Sequence, residues 1–174
     1  MSLSVRWQTF AKLSTSDLYA ALSLRQAVFI VEQNCAFLDA DGLDASAIHG
    51  LGRDATGALV AVARILPPGG MRPLPSIGRI AVARQARGSG FGRTIVADAL
   101  GEVQRCFPGS PIQLDAQLYL EKFYASFGFA RAGEPFDEGG IPHIALKRRD
   151  SAVHAARLGV KNVSMVKCGD HLRP

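Results

Sequence analysis

A glycine-rich turn at residues 85–93 is the strongest candidate for chemistry in the sequence. It reads Gln-Ala-Arg-Gly-Ser-Gly-Phe-Gly-Arg and lies between a predicted strand and a predicted amphipathic helix. Glycine lets backbone N–H groups turn inward without a Cβ in the way, and a helix start adds free N–H donors at the positive end of its dipole. Arg84, Arg87 and Arg93 add positive charge. We therefore expect the turn to bind a phosphate or pyrophosphate group.

Three types of phosphate-binding turn are candidates for this segment. A P-loop ends in Gly-Lys-Ser or Gly-Lys-Thr, which is absent here. A dinucleotide-binding turn has the spacing G-x-G-x-x-G directly after its strand, whereas Gly88, Gly90 and Gly92 follow G-x-G-x-G after five intervening residues. Asp115, at the end of the next strand, could still imitate the ribose-binding acid of that type. The third type is Q/R-x-x-G-x-G/A, which Gln85, Gly88 and Gly90 match.

This turn and a second motif downstream together resemble the GNAT superfamily of N-acetyltransferases. Gln85-x-x-Gly88-x-Gly90, after the predicted strand at 76–83, is similar to motif A of that family. Phe123-Tyr124-Ala-Ser-Phe-Gly128-Phe129 is similar to its Tyr-x-x-x-Gly-Phe. More narrowly, Val28-Phe-Ile-Val-Glu-Gln-Asn-Cys35 and Gly140-Ile-Pro-His143 resemble signatures of the ElaA-type branch.

The resemblance covers about residues 5–148 and has two departures. The usual Asn-x-x-Ala before the tyrosine falls at Gln117 and Leu120, where an amide is kept. The strand at 76–83 carries no Glu, which some family members use as general base. The role of general base is therefore unassigned by the family pattern.

The resemblance implies acetyl-CoA as cosubstrate, bound between two parallel strands, 76–83 and 111–116, that splay apart at their C-terminal ends. Its pantetheine arm should pair with the backbone around Ile80 and Val82, and its pyrophosphate should rest on the N–H groups of residues 87–93. Ligands of α/β units commonly bind beyond the carboxyl ends of strands, which agrees with this placement. The residues that the resemblance assigns to acetyl-CoA are Ile80, Ala81, Val82, Gln85, Arg87, Gly88, Ser89, Gly90, Phe91, Gly92, Arg93, Gln117 and Phe123.

Acetyl transfer from a thioester to an amine needs a neutral amine, a donor to the oxyanion and a proton for the leaving thiolate. The resemblance implies direct attack in a ternary complex, with a strand N–H near Val82 as the oxyanion donor. Tyr124 is the candidate general acid, because a phenol with a pKa of about 10 is protonated at neutral pH. The competing interpretation of Tyr124 is a core aromatic residue beside Phe123 and Phe127.

Three residues are candidates for the general base. Histidine titrates near neutral pH, and His143 is predicted near the strand ends, while His49 begins another strand. Glu32 ends the first helical region and, by resemblance, faces the acceptor. A chain of water molecules is a further alternative. Arg25 either anchors an acceptor carboxylate or pairs with Glu32, and Cys35 is a weaker candidate for a covalent route, because no neighbour in the sequence would lower its pKa.

The acceptor is expected to be a small-molecule amine or a peptide amine. Its pocket should be formed by the first helices, the loop at 35–46 and the turn at 135–143. Acidic residues in these loops would favour a cationic acceptor if they face the cleft, and are otherwise solvated; they are Asp39, Asp41, Asp44, Asp137 and Glu138. The alternative function is a catalytically inactive CoA-binding sensor or interaction protein, against which Tyr124 argues. Both a monomer and a homodimer remain open.

The elements that must position these residues predict an α/β (α+β) fold. Its sheet should be mixed but mostly antiparallel, with about six or seven strands, one parallel splayed pair and helices on both faces. The domain should span residues 1–150, followed by an appendage at 151–174 without a readable role. Strands are predicted at 5–10, 47–54, 58–66, 76–83, 111–116, 129–134 and 141–148, and helices at 14–34, after the turn at 84–90, and at 118–127.

The composition excludes several other classes of protein. With 48% hydrophobic residues the chain can build a core, yet no apolar run approaches the roughly 20 residues of a membrane span. No signal peptide is visible, so we expect a soluble cytoplasmic protein without a membrane partner. The net charge of +5 is scattered and not interleaved with aromatics, so no nucleic-acid partner is expected. Cys168-x-x-His171 has no second half-site, so no metal is expected.

Overall fold

The computed structural model describes residues 2–69 and 72–149, which contain eight strands and three helices. The strands are β1 (Ser4–Thr9), β2 (Ile48–Arg53), β3 (Leu59–Leu66), β4 (Ser76–Val82), β5 (Ile112–Gln117), β6 (Ala130–Arg131), β7 (Phe136–Glu138) and β8 (Ile141–Arg148). The helices are α1 (Thr15–Gln26), α2 (Phe91–Cys106) and α3 (Glu121–Ala125). The expected appendage at 151–174, with its Cys168-x-x-His171 pair, lies outside the described residues.

The first helix begins where the sequence predicts, because its cap is encoded locally. The Ser14 hydroxyl accepts a hydrogen bond from the backbone N–H of Asp17 at 3.0 Å, which satisfies one of the free donors of the first turn. The helix continues past Gln26 as a π-helical turn, Ala27–Glu32. Such turns interrupt regular helices and occur frequently at functional sites. Here the turn ends the element at the candidate residue Glu32.

The sheet has the strand order β1-β2-β3-β4-β5-β8-β6, with β7 pairing to β8. Only the pair β4–β5 is parallel among the strand pairs that the structure describes. The expected α/β (α+β) class is therefore confirmed, as is the single parallel pair. No helix within residues 2–69 and 72–149 is both long and apolar enough to cross a membrane.

Two elements near the C-terminal half differ from expectation. The predicted strand at 129–134 pairs only at Ala130–Arg131, because Gly133 and Pro135 interrupt the run, and β7 forms after them as an additional strand. The predicted helix at 118–127 begins as a 3-10 turn and is α-helical only at Glu121–Ala125.

Two layers of helix cover the sheet on opposite faces. Ala21 and Val28 of the first helical element pack against Leu51, Val62 and Ala81 on one face. On the other face, Ile95 of α2 packs against Ala61 and Ala63, while further α2 residues and Tyr124 of α3 share one core cluster. Alternate residues of β3 thus reach opposite helices, as the period of two in a strand requires.

The parallel strands β4 and β5 meet at one end only. Their pairing register contains the single pair Ser76–Gln113, next to a hydrogen bond from the Gln113 N–H to the Pro75 carbonyl at 3.1 Å. Farther along β4 the register against β3 shifts, and Arg79 takes a left-handed φ of +49°. An extra residue of this kind bends its strand and increases the local twist. The C-terminal halves of β4 and β5 are therefore splayed, which confirms the expectation.

Candidate active site

The turn between β4 and α2 has the geometry of an anion-binding loop. Gly88 and Gly90 take left-handed φ angles of +78° and +80°, and the space where a Cβ would stand is open at each. Gly90 directly precedes α2, whose first N–H groups have no partner within the helix. Gln85, Arg87 and Ser89 are exposed beside these glycines. The loop thus presents backbone donors and positive charge at the carboxyl end of β4.

The backbone of Val82 faces the gap between the splayed strands. The Ala83 N–H donates to the Val60 carbonyl of the neighbouring strand segment at 2.8 Å. Because successive residues of a strand point their backbone groups to alternate edges, the N–H and C=O of Val82 point to the opposite edge. That edge is the one from which β5 has separated. By the same alternation Ile80 also faces the gap, whereas Ala81 faces β3.

The remaining residues assigned to the donor lie at the start of α2 and around the gap. Phe91 and Ala81 are buried, at 4% and 3% exposure, so they offer a ligand little beyond their backbone. A Cβ on Gly92 would stand 4.0 Å from a methyl group of Val82, so α2 begins directly beside the end of β4. The glycine-rich turn and the open strand edge are therefore neighbours.

Arg93 fastens the start of α2 to α3. Its guanidinium carbon lies 4.8 Å from the ring centroid of Phe127 and 6.0 Å from that of Phe123, and its Nη1 donates to the Ser126 hydroxyl at 3.1 Å. Cations over aromatic faces are attracted by the ring quadrupole. The contact with Phe123 thus helps to hold the Arg93 guanidinium in place, close to the turn.

Arg87 bridges the turn to the end of the π-helical segment. Its two terminal nitrogens donate to the two carboxylate oxygens of Glu32 at 2.6 and 3.0 Å, and its Nε donates to the Val82 carbonyl at 3.1 Å. The hydrogen bonds from Arg87 lower the pKa of Glu32 against the opposing effect of burial, and the charges of Arg87 and Arg84 add to this. A carboxylate held in this way is a poor proton acceptor.

Tyr124 is buried on the α2 face of the sheet, beneath the splayed strands. It is 6% exposed, and its ring packs edge-on against Phe123 and Phe129, with centroids 5.0 and 6.0 Å away. Burial raises the pKa of Tyr124 to about 12, with a smaller contribution from Tyr119. The hydroxyl therefore remains protonated at every working pH and is available as a hydrogen-bond donor.

His143 lies on the opposite face, at the end of β5. Its neighbour Ile144 is fully buried among the α2-side residues, so His143 points the other way, directly across from Gln117. Its Nδ1 is 2.8 Å from the Ile141 carbonyl, which accepts only if that nitrogen carries the proton. The neutral ring then keeps its lone pair on Nε2, the atom 3.9 Å from a carboxylate oxygen of Glu138.

A short segment after α1 closes this face of the site. The Gln117 amide donates to the Gln33 side-chain oxygen at 3.0 Å, and the Cys35 thiol donates to the Gly139 carbonyl at 3.3 Å. Farther along, the Phe37 ring lies 5.5 Å from the guanidinium carbon of Arg79. Alternate residues of one loop thus reach the end of β5, the β7–β8 turn and the bulge of β4.

The candidate site therefore has two sides. Tyr124 lies in the core on the α2 face of the sheet, and His143 with Gln117 lies on the α1 face at the end of β5. A thioester held in the gap would have a hydroxyl donor near its leaving group on one side. An amine could reach it from the other side, where a histidine lone pair is available. The geometry suits acyl transfer between two bound substrates.

The carboxylates of the loop at 39–44 are paired with arginines and do not present free negative charge to the cleft. Asp39, Asp41 and Asp44 form ion pairs of 2.6 to 3.2 Å with three arginines, which are Arg25, Arg64 and Arg79. Arg25 is 3% exposed and bound to Asp39 and Asp44, so it neither pairs with Glu32 nor reaches an acceptor. Both interpretations of Arg25 were wrong, because the mid-strand Arg64 and Arg79 bring these acids inward.

Two of the weaker candidates are placed in structural roles. His49 is 4% exposed, burial lowers its pKa, and its Nε2 lies 2.9 Å from the Asp44 carbonyl within the arginine–aspartate cluster. Cys35 is 8% exposed and bonded to Gly139. Neither residue is presented to the gap as a base or a nucleophile. Among the described residues, no group of three or more His, Cys, Asp or Glu side chains is arranged to hold a metal ion.

Comparison with known proteins finds relatives that agree with one another in family and in fold. A sequence model of the GNAT acetyltransferase domain matches residues 40–149. A UPF0039 protein from Synechocystis is 43% identical over 84% of this chain and 95% of its own length. The crystal structure of Escherichia coli ElaA has a TM-score of 0.80 at 39% identity, covering 85% of this chain and all of the other. An acyl-CoA N-acyltransferase structure from Pseudomonas aeruginosa has a TM-score of 0.80 at 36% identity, covering 84% and 99%.

Proposed function

The chain belongs to the GNAT acetyltransferase family, and on that premise we propose that it transfers an acetyl group from acetyl-CoA to the nitrogen of an amine. One observation carries the proposal. The only parallel pair among the described strands separates after Ser76–Gln113, and the strand that borders the gap leads into a turn with two left-handed glycines. The gap fits the pantetheine arm and the turn fits the pyrophosphate.

In this proposal the donor is held mainly by backbone. The pantetheine amides pair with Ile80 and Val82 along the edge that β5 leaves open, and the pyrophosphate accepts from the N–H groups of the turn. Arg87 and Arg93 supply charge, and Phe123 supports Arg93. Backbone donors at a helix start favour an anion whatever the identity of the neighbouring side chains.

The acetyl carbonyl lies near the N–H of Val82, which donates to the oxyanion of the tetrahedral intermediate. The Tyr124 hydroxyl donates to the sulfur of the leaving group. Because its pKa of about 12 exceeds the value of about 8.5 for a thiol, complete proton transfer is uphill, and the hydrogen bond itself stabilises the thiolate. The amine attacks directly from the opposite face. The N–C bond forms and the C–S bond breaks, while the amine proton leaves on the His143 side.

His143 is the favoured proton acceptor in this scheme. Its Nε2 carries the lone pair, whereas Glu32 is engaged by Arg87 and His49 is buried. The acceptor is a small-molecule or peptide amine. A cationic acceptor would find Asp137 and Glu138 exposed beside His143, and it would not find the acids at 39–44, which are already neutralised.

Acetyl-CoA binding tests the donor site directly. Calorimetric titration of acetyl-CoA should give saturable binding, with NAD and ATP as negative controls. Gly90→Glu should weaken it by at least about tenfold, because a carboxylate next to the pyrophosphate adds like-charge repulsion and a side chain at φ +80° adds strain. Gly57→Glu is the matched control, since Gly57 has φ +86°, open space at its Cβ and a position in the β2–β3 turn. Equal binding by both variants would contradict the site.

Substitution of His143 tests the proton acceptor. His143→Asn keeps a donor at the position of Nδ1 for the Ile141 carbonyl but cannot take a proton, so kcat/KM should fall about a hundredfold with the amine that the wild type uses. Initial rates of thiol release at neutral pH, compared between the variant and the wild type, provide the measurement. An unchanged kcat/KM would assign the proton to water or to another group.

A further inference from the structure

Glu32 contacts the phosphate-binding turn although it belongs to the helical element on the α1 face. It is the last residue of the π-helical turn and is separated from Arg87 by 55 positions in the chain. Its carboxylate accepts hydrogen bonds from both terminal nitrogens of Arg87, the residue that directly precedes Gly88. The pairing therefore ties an element of the acceptor side to the donor site.

The Glu32–Arg87 pair also keeps the Val82 carbonyl occupied, and the pantetheine arm of acetyl-CoA needs that carbonyl as a hydrogen-bond acceptor. The Nε of Arg87 donates to the Val82 carbonyl, which lies on the open edge of β4. Bidentate binding to Glu32 fixes the guanidinium plane and so keeps Nε on that carbonyl. A pantetheine amide that pairs with Val82 must take this position from Arg87.

We propose that Glu32 and Arg87 form a latch across the mouth of the donor site, which acetyl-CoA opens by exchanging pyrophosphate for the Glu32 carboxylate on Arg87. The inference rests on the proposed donor site. The exchange replaces one anion on the guanidinium by another, so Arg87 stays charged and paired in both states. Glu32 is then a residue that sets donor affinity.

The exposure of the pair suits an exchange. The side chains of Arg87 and Glu32 are 42% and 33% exposed, so both partners are already hydrated. Exposed ion pairs are weak, and a pyrophosphate with backbone donors already in place can displace the carboxylate. By contrast, the buried pairs of Arg25 are 2.7 and 2.8 Å long inside the fold and cannot exchange in this way.

A double-mutant cycle on acetyl-CoA affinity tests the latch. Glu32→Gln should tighten acetyl-CoA by about two- to fivefold, the range that corresponds to an exposed ion pair. Arg87→Gln should weaken it by about tenfold or more, because a charged hydrogen bond to the pyrophosphate is lost. In the Arg87→Gln background, Glu32→Gln should have no further effect, since the carboxylate then has no arginine to hold.

The control variant is Glu102→Gln. Glu102 also holds an arginine through two hydrogen bonds, of 2.9 and 2.6 Å to Arg105, but it lies twelve residues beyond Gly90, or about 18 Å along α2. Glu102→Gln therefore shows how far the loss of one negative charge, away from the turn, changes acetyl-CoA affinity. Thermal unfolding of each variant checks that the fold is intact.

The possible results are distinct. If Glu32→Gln leaves acetyl-CoA affinity unchanged or lowers it, the latch is wrong. If it tightens binding equally in the Arg87→Gln background, simple repulsion between Glu32 and the ligand explains the effect and the latch is also wrong. Failure of the wild type to bind acetyl-CoA would instead overturn the donor site, and with it both proposals.

Discussion

Replacement of Tyr124 by phenylalanine should lower kcat by about 10² to 10³, the usual loss when one positioned hydrogen-bond donor to a developing anion is removed. The hydroxyl is the only part removed, and the ring still packs edge-on against Phe123 and Phe129. With its pKa near 12 the hydroxyl is protonated throughout the working range, so the loss should not depend on pH below about 10. Acetyl-CoA affinity should change little, because the donor is bound by backbone and by the turn.

Two comparisons separate this role from a structural one. Tyr119→Phe makes the same chemical change five residues earlier, on a side chain that is 76% exposed, and should leave kcat within about twofold. An acetyl thioester with a more acidic leaving thiol should restore much of the Tyr124→Phe rate, since that thiolate needs less stabilisation. A Tyr124→Phe enzyme with the wild-type rate, or one that the better leaving group does not rescue, would contradict the assignment.

Replacement of Asp44 by asparagine should destabilise the fold by about 3 to 5 kcal/mol, as expected when one partner of a buried ion pair is removed. Asp44 binds Arg25 at 2.7 Å and Arg64 at 3.0 Å, and these arginines are only 3% and 5% exposed. Asparagine keeps the shape but leaves a net positive charge among buried groups. Chemical denaturation at neutral pH measures the loss. Glu121→Gln, which removes an exposed pair with Arg131, is the control and should leave the stability almost unchanged.

A second substitution tests the electrostatic cause. Arg64→Gln in the Asp44→Asn protein removes one cation as well, so the double variant should lose less stability than the sum of the two single variants. Burial acts to raise the pKa of Asp41, but hydrogen bonds from Arg64 and the Leu43 N–H outweigh it and lower the pKa to about 2. The stability from this group is present above about pH 3.8 and is lost as the pH falls toward 2. Asp41→Asn should therefore flatten the acid side of the melting-temperature profile. If Asp44→Asn costs no more than Glu121→Gln, the cluster is not a buried charge network.

The sequence alone determined those features that depend on local chemistry. Gly88 and Gly90 marked the turn because left-handed backbone angles favour glycine, and both have them. Ser14 marked the helix start because a hydroxyl there binds the backbone N–H three residues on. The strand boundaries in the first half and the parallel pair followed from periodicity, turn residues and the resemblance. The motif at 123–129 supplied Tyr124 as a candidate, with a core role as the alternative.

Only the tertiary structure decided which charges meet. Arg64 and Arg79 lie in apolar strands, and the sequence did not show that the aspartates at 39–44 would pair with them. Arg79 has a left-handed φ that no local pattern encodes for arginine, because the register of β4 against β3 imposes it. Phe136, which lies in the unexpected strand β7 and stacks on His143, was also missed, although Gly139-Gly140 between the two residues is a local hairpin signal.

Glu32 shows this limit most clearly. Its position in the sequence suggested a base facing the acceptor, whereas the fold gives its carboxylate to Arg87, 55 positions away. Local propensities are set by a few neighbouring residues, and they fixed the turn, the caps and the strands. A charge takes its role from whatever the folded chain brings within a few ångströms, and that depends on the register and packing of elements far apart in the sequence.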